Sequence, residues 1–292
     1  MSVAVSSGMD FGVFLPIVLN RVDKMPRAQQ FDVVLPDGAT LTCHVVGQGA
    51  PVLWISGLGG TAGFWDSIHP GLDGVMSITF DQRGLQKSKR GSDQVSIDRL
   101  ALDAIAILDH MKLDQAHVVG HSTGGCIAMS MALADPKRVS SLVLSGSWAN
   151  PNPYMQALFK WRLRMLDADP NLYQASLPFL SSTPQWLTDH PHQLTVSTND
   201  WSPAQITVVR ERIAALMAFD RRRDVAQLEM PCLVVGARDD IIVPVFLQED
   251  LANLIPNART HFFEHGGHFF PKSQSARFNS LLVQWLSQRK DR

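Results

Sequence analysis

The chain has 292 residues, 45% of them hydrophobic, enough for one large α/β core or a core with an inserted subdomain. It carries 26 Lys+Arg against 27 Asp+Glu, a formal net charge of -1. That balance argues against a nucleic-acid partner, which selects for a basic face. Three cysteines (Cys43, Cys126, Cys232) sit in or beside apolar runs with no C-x-x-C pairing. They read as reduced, buried small hydrophobes of a cytoplasmic protein.

The N-terminus carries an apolar run, Phe11 to Leu19, interrupted by Pro16. It is too short to span a bilayer, no basic residue precedes it, and no small-x-small cleavage site follows. Residues 1–30 are therefore read as an extension that packs on the body or makes a homo-oligomer contact. No other stretch is long and apolar enough for a membrane helix.

Phe31 to Leu35 alternates as a strand, Pro36-Asp37-Gly38 supplies turn chemistry, and Ala39 to Val46 alternates again, which predicts an antiparallel hairpin. Pro51 to Ile55 is a continuous apolar run, as in a strand buried on both faces. It ends in Ser56-Gly57-Leu58-Gly59-Gly60-Thr61. No Lys-Ser/Thr follows and the G-x-G-x-x-G spacing is absent, so this loop does not fit a phosphate cradle. Its glycines suit backbone that must approach a substrate closely.

Val75 to Phe80 is the next strand, and Asp81-Gln82-Arg83-Gly84 after it is read as a pinned turn. Ser96 caps a helix running to about Leu113. Ala116 to Val119 is strand-like and leads into Gly120-His121-Ser122-Thr123-Gly124, with a helix from Gly125 to Ala134. This is G-x-S-x-G between a strand and a helix, the context that makes the motif chemical. Side chains at 120 and 124 would collide with neighbouring backbone in so tight a turn. The turn also lifts the Ser122 hydroxyl beside a helix N-terminus, where unpaired N–H groups stabilise negative charge. Val139 to Leu144 is another buried strand, and the alternation implies a mostly parallel sheet with helices on both faces.

From Trp148 to Leu228 the alternation stops. The segment carries amphipathic stretches (Met155 to Leu166, Pro203 to Phe219), prolines and aromatics, and reads as an inserted helical cap. Core segments at 31–147 and 229–292 flank the cap at 148–228. Asp220 to Asp224 reads as a self-compensated surface turn. Cys232 to Gly236 is a strand leading into Asp239-Asp240-Ile241-Ile242-Val243-Pro244; Val245 to Leu254 is a helix. Arg259 to Phe263 is the last strand, ending in Glu264-His265-Gly266-Gly267-His268, and Ser275 to Gln288 closes the chain as a helix.

Loops at the C-terminal ends of parallel strands collect functional groups. Here they carry Ser, an acid pair and His in that chain order, the order of the nucleophile-elbow fold. A serine hydroxyl needs a base within hydrogen-bond reach, and the base needs a carboxylate to fix its tautomer. Asp239 and Asp240 both suit the acid. Both His265 and His268 follow the last strand. A zinc site there lacks a third ligand at suitable spacing, and neither a metal nor a cofactor is called for.

The motifs S-G-L-G-G, D-Q-R-G, G-H-S-T-G-G, D-D-I-I-V-P and G-G-H-F, spread from about Phe31 to the C-terminus, resemble those of α/β-hydrolase-fold serine hydrolases. The strings ISGLGG, FDQRG and DDIIVP are similar to those of aminoacrylate (carbamate) hydrolases of pyrimidine degradation and of 3-oxoadipate enol-lactonases. Ser56 departs from that pattern, where many members have His. The resemblance favours His268 by the G-H pattern and Asp240 by the family's D-x-x-x-P spacing to Pro244, although Asp239 matches better when the count runs from Gly236. It implies a Ser122–His268–Asp240 triad and an oxyanion hole from the Leu58 and Thr123 N–H groups. It also implies a small to medium ester, lactone or enol-lactone as substrate. Amide, carbamate, aminoacrylate or C–C hydrolysis, or a non-catalytic binding module on the same fold, are the alternatives. Gly57, His121, Trp148 and Trp201 are the candidates for lining the substrate site.

Overall fold

The computed structural model describes residues 29–68, 72–194 and 201–288; the readings made for the apolar run and the extension before Gln29 lie outside the described residues. Eight strands form one sheet: β1 (Gln29–Val34), β2 (Thr40–Gly47), β3 (Ala50–Ile55), β4 (Val75–Phe80), β5 (Ala116–His121), β6 (Val139–Ser145), β7 (Cys232–Ala237) and β8 (Arg259–Phe263). Their order across the sheet is β1-β2-β4-β3-β5-β6-β7-β8. Only β2 runs against its neighbours, antiparallel to β1 and β4, and every pairing from β4 to β8 is parallel.

The continuous apolar strands are explained by their two covered faces. Along β3, Val52 and Trp54 join one core cluster while Leu53 and Ile55 join the other; on β5, Val119 and Val118 divide the same way. One face is covered by α1 (Ile97–His110), α2 (Thr123–Ala134) and α7 (Val245–Leu254), which contribute Leu100, Ile127 and Leu251. The other is covered by α9 (Ser275–Ser287), through Phe278, Leu282 and Trp285, and by a short 3-10 turn bearing Phe64 and Trp65. Side chains alternate across a strand, so each pair of residues feeds two cores at once.

Between β6 and β7 the chain forms α3 (Pro153–Ala168), α4 (Pro170–Ser181), α5 (Pro184–Asp189) and α6 (Pro203–Ala218). Each starts at a proline behind a capping side chain: Asn152, Asp169, Thr183 and Ser202 accept from backbone N–H groups of the first turn. Proline at the first helical position loses nothing, because its N–H would be unpaired there. A short helix, α8 (Phe270–Ser273), follows β8. The insertion is tied to the loop after β8: the Phe269 N–H donates to Ser181 O at 2.8 Å.

The Asp81–Arg83 turn is pinned as its residues suggest. Asp81 Oδ1 accepts from the Ala62 N–H at 2.9 Å. Arg83, fully buried, bridges Asp103 (2.6 and 2.7 Å) and Asp37 (2.7 Å). Among the described residues no helix is long and apolar enough to cross a membrane.

Candidate active site

β5 ends at His121 and α2 begins at Thr123, so Ser122 alone makes the turn. Its backbone sits at φ 56° and ψ -125°, a conformation L-residues avoid and which persists only where the surroundings enforce it. The enforcement is visible. The Ser122 N–H donates to Ser145 O at 2.7 Å. Its own carbonyl accepts from Gly125 N–H at 2.9 Å and from Ser147 Oγ at 3.0 Å. A Cβ on Gly120 would overlap the Gly124 carbonyl oxygen, and one on Gly124 would overlap that of Ile55. The glycines on either side are thus required by close backbone approach. The Ser122 side chain is held at the rim of the sheet, with the residue 6% exposed.

His268 lies on the loop after β8 and Asp240 on the turn after β7. The two are joined: His268 Nδ1 and Asp240 Oδ2 are 2.7 Å apart, with side chains 4% and 0% exposed. The other carboxylate oxygen, Oδ1, accepts from the Ile242 and Val243 N–H groups at 2.9 Å each. Asp240 is therefore fully occupied in holding one ring. Asp239 does something else. Its two oxygens accept from Gly266 N–H (3.1 Å) and Gly267 N–H (2.8 Å), clamping the loop that carries His268. His265 points outward with its side chain 84% exposed, 3.5 Å from Asp239 Oδ2.

Gly146, the residue after β6, links the two halves of the constellation. A Cβ there would stand 3.4 Å from His268 Cε1 and 3.3 Å from His121 Cε1. Its neighbour Ser145 holds the Ser122 N–H. Ser122 and the His268 ring thus flank the same two residues.

His121 lies beneath this arrangement, not beside an open cleft. It is 1% exposed, its Nδ1 is 3.0 Å from Ser145 Oγ, and its ring stacks on Phe64 at 4.8 Å. The His268 ring is 4.9 Å away. Burial holds the His121 imidazole well below its ordinary value, and the neighbouring His268 and Lys272 push the same way. His121 is a neutral packing partner for the ring above it.

Leu58 and Thr123 are the next residues after Gly57 and Ser122, which lie against each other. Thr123 opens α2, where the first N–H groups have no partner within the helix. Gly57 packs against Ser122 so closely that a Cβ on it would lie 3.0 Å from Ser122 Cβ, and Leu58 follows directly. Two residues that sequence reading passed over brace this loop: Gln82 donates to Ser56 O at 2.7 Å, and Arg212 donates to Leu58 O at 2.9 Å. The available signal was an arginine on the apolar stripe of α6, between the buried Val209 and Leu216.

Trp148 is fully buried in the core cluster with Met155 and Phe159, and Trp201 is half-buried with its ring 5.9 Å from that of Tyr173. A cavity of about 280 Å³ opens between α4, α5 and α8, lined by Leu177, Ser181, Trp186, Phe269 and Lys272. Phe269 and Lys272 belong to the segment just after His268; Ser122 does not line this cavity. Burial lowers the Lys272 ammonium, with Asp66 opposing the shift. Among the described residues no group of three or more His, Cys, Asp or Glu side chains is placed to hold a metal.

The comparisons with known proteins agree with this architecture. Residues 50–272 match the model of the alpha/beta hydrolase fold family. The chain is 34% identical over 255 residues to a Variovorax paradoxus protein named "Putative carbamate hydrolase RutD", covering 84% of this chain and 94% of that one. A protein of the same name from Azorhizobium caulinodans is 32% identical, over 86% and 96%. Among solved structures, an enol-lactonase from Burkholderia xenovorans superposes with a TM-score of 0.77 at 19% identity, covering 86% of this chain and 97% of that one. An esterase from Thermogutta terrifontis does so with 0.78 at 22%, over 90% and 99%; at such identities the likeness shows the fold alone. With the strained turn after β5, the loops gathered at the strand ends and relatives matched over most of their length, the chain belongs to the α/β hydrolase fold family and is a hydrolase.

Proposed function

We propose that the protein is a serine hydrolase acting through an acyl-enzyme on a small to medium carboxylic ester, lactone or enol-lactone. Ser122 Oγ attacks the acyl carbon while His268 takes its proton. Asp240 fixes the His268 tautomer and stabilises the imidazolium. The Leu58 and Thr123 N–H groups receive the oxyanion. The protonated His268 then gives its proton to the leaving oxygen, and a water activated by the same ring releases the acid and restores Ser122. Gly57 contributes the close approach that brings the Leu58 N–H to the reacting carbon. The helical insertion at 148–228 serves as a cap over the strand ends. Its substrate is a small molecule, and the buried, unpaired cysteines suit a cytoplasmic location.

The observation that carries the reading is the 2.7 Å contact between His268 Nδ1 and Asp240 Oδ2, with no exposed edge on the carboxylate. A carboxylate buried to that degree needs partners: two backbone N–H groups hold Oδ1, which leaves Oδ2 to fix the imidazole and to stabilise it once it takes a proton. A second reading keeps the triad and changes the bond. The alternatives are amide, carbamate, aminoacrylate or C–C hydrolysis, and of these the relatives named "Putative carbamate hydrolase" support a carbamate.

The test is rapid-quench kinetics on p-nitrophenyl butyrate. A burst of one equivalent of p-nitrophenol, with a butyryl mass increment on the peptide containing Ser122, is the expected result. Turnover with no acyl adduct on Ser122 would overturn the mechanism. A panel of esters, lactones and carbamates then ranks the two readings by kcat/KM.

A further inference from the structure

Arg212 is a charged side chain in an unusual place. It lies on α6 of the insertion, 1% exposed, and reaches across to the loop after β3. Its acceptors are three neutral oxygens: Leu58 O from Nε at 2.9 Å, Gly57 O from Nη2 at 3.1 Å, and Gln82 Oε1 from Nη2 at 2.6 Å. Nη1 has no partner. Gln82 extends the brace, donating from Nε2 to Ser56 O at 2.7 Å while its backbone N–H donates to Gly60 O at 2.8 Å. Every carbonyl from Ser56 to Leu58 therefore has a side-chain donor, and Gly57 O accepts from the Gly60 N–H as well, at 2.9 Å.

The direction of that grip matters. In a trans peptide the carbonyl oxygen and the following N–H point opposite ways. A donor fixed on Gly57 O therefore turns the Leu58 N–H away from α6. Gly57 itself is pressed against Ser122, where a Cβ on it would stand 3.0 Å from Ser122 Cβ and 3.5 Å from Ser122 Oγ. A cation on Gly57 O also polarises the peptide, making its N–H a stronger donor, since hydrogen bonds in series reinforce one another. Burying a guanidinium among neutral groups is expensive, and a neutral side chain would serve if the task were only to pack α6. The two parallel donors of the fork match two consecutive carbonyls, which a lysine ammonium cannot do.

We propose that Arg212 is a positioning residue for the oxyanion hole: its guanidinium holds and polarises the Gly57–Leu58 peptide so that the Leu58 N–H faces the acyl oxygen at Ser122. This rests on the reading of Ser122 as nucleophile and Leu58 as oxyanion donor. Misplacing one such donor costs about 10²-fold in kcat.

The test compares Arg212→Met, Arg212→Lys and, as a control, Arg210→Ala, an exposed residue on the same helix paired with Asp167. Turnover of p-nitrophenyl butyrate is measured with the inhibition constant of 1,1,1-trifluorooctan-2-one, whose hemiketal places an anionic oxygen in the hole. Arg212→Met is expected to lose about 10²-fold in kcat, with KM within about threefold and affinity for the ketone falling in step with kcat. Arg212→Lys should lie between it and the parent, and Arg210→Ala should match the parent. Where Arg212→Met does not melt cooperatively, Arg212→Lys decides by the same parallel loss. Three outcomes overturn the proposal: a raised KM with kcat unchanged, which makes Arg212 a substrate contact; kcat and ketone affinity unchanged with a lower Tm; or loss of cooperative melting in both variants. Ser122→Ala, run alongside, separates the two readings. If it keeps turnover, the serine mechanism fails. If it is inactive while Arg212→Met keeps its kcat, only the positioning role fails.

Discussion

Exchanging each of the adjacent aspartates for asparagine should separate two jobs that the structure assigns to neighbouring residues. In Asp240→Asn the amide oxygen must stay at the Oδ1 position, because the Ile242 and Val243 N–H groups both donate there at 2.9 Å. The amide nitrogen then faces His268 Nδ1, where Oδ2 stood at 2.7 Å. A donor at that place selects the ring tautomer protonated on Nε2, which cannot take the Ser122 proton. The loss of kcat should be about 10⁴-fold, or about 5 kcal/mol. The two backbone bonds survive, so Tm should change little. In Asp239→Asn one of the bonds from Gly266 and Gly267 loses its acceptor. Removing one hydrogen bond to a charged group costs about 1.5–3 kcal/mol of stability, and kcat should fall by less than about tenfold because His268 keeps its carboxylate. Steady-state kcat on p-nitrophenyl butyrate and thermal melts of both variants give the comparison. A loss of kcat in Asp239→Asn as large as in Asp240→Asn would refute the assignment.

Other consequences are open to direct measurement. Burial pushes the thiols of Cys43, Cys126 and Cys232 up to about 12, so a disulfide reagent at neutral pH should label none of the three in the native protein and all three in guanidinium chloride; fast native labelling would contradict their burial. Replacing Arg83 by Met takes the buried cation from Asp37 and leaves Asp103 with Arg99 alone (Nη2 to Oδ1, 3.1 Å), and chemical denaturation should show about 3–5 kcal/mol less stability. Burial would raise the Asp37 carboxyl, but the Arg83 guanidinium and the backbone N–H groups of Asp93 and Ala39 outweigh it and bring it down to about 2. A folded-state value below the unfolded one gives stability that is present above about pH 4 and lost as pH falls through about 2. An acid titration of Tm should show that loss, and Arg83→Met should show a smaller one, since the Asp93 and Ala39 N–H groups still hold the carboxylate. Gly124→Ala places a methyl group on the Ile55 carbonyl oxygen, so soluble protein with parental kcat would show that the turn is less constrained than described.

Much of this architecture is legible in the residues because the strands are covered on both sides. Val52 to Ile55 and Val118 to Val119 feed two cores, and that demand writes itself as uninterrupted apolar runs. Ser96 announces α1 by capping it, accepting from the Arg99 N–H at 3.0 Å. The elbow is legible because its glycines are fixed by backbone collisions, which no other residue type satisfies. The insertion is harder to read. α4 and α5 begin at Pro170 and Pro184, and α4 also contains Pro178, so the prolines resemble breaks until the caps at Asp169 and Thr183 are recognised. Between Asp239 and Asp240 the D-x-x-x-P spacing favours Asp240, while a count from Gly236 favours Asp239; adjacent residues on a turn point in different directions, and the turn geometry joins Asp240 to His268. Arg212 was missed for a related reason. Its role depends on two carbonyls more than 150 positions away in the chain, and its place on the apolar stripe of α6 marks it as buried without saying what it holds.

The central claim is that Ser122 forms the covalent bond, and the most direct measurement is the kcat of Ser122→Ala against the parent on the best substrate of the panel, with both proteins shown to melt alike. The account predicts a loss of about 10⁶-fold, together with loss of labelling by a fluorophosphonate that modifies the parent at one equivalent. Turnover within tenfold of the parent in that variant would contradict it.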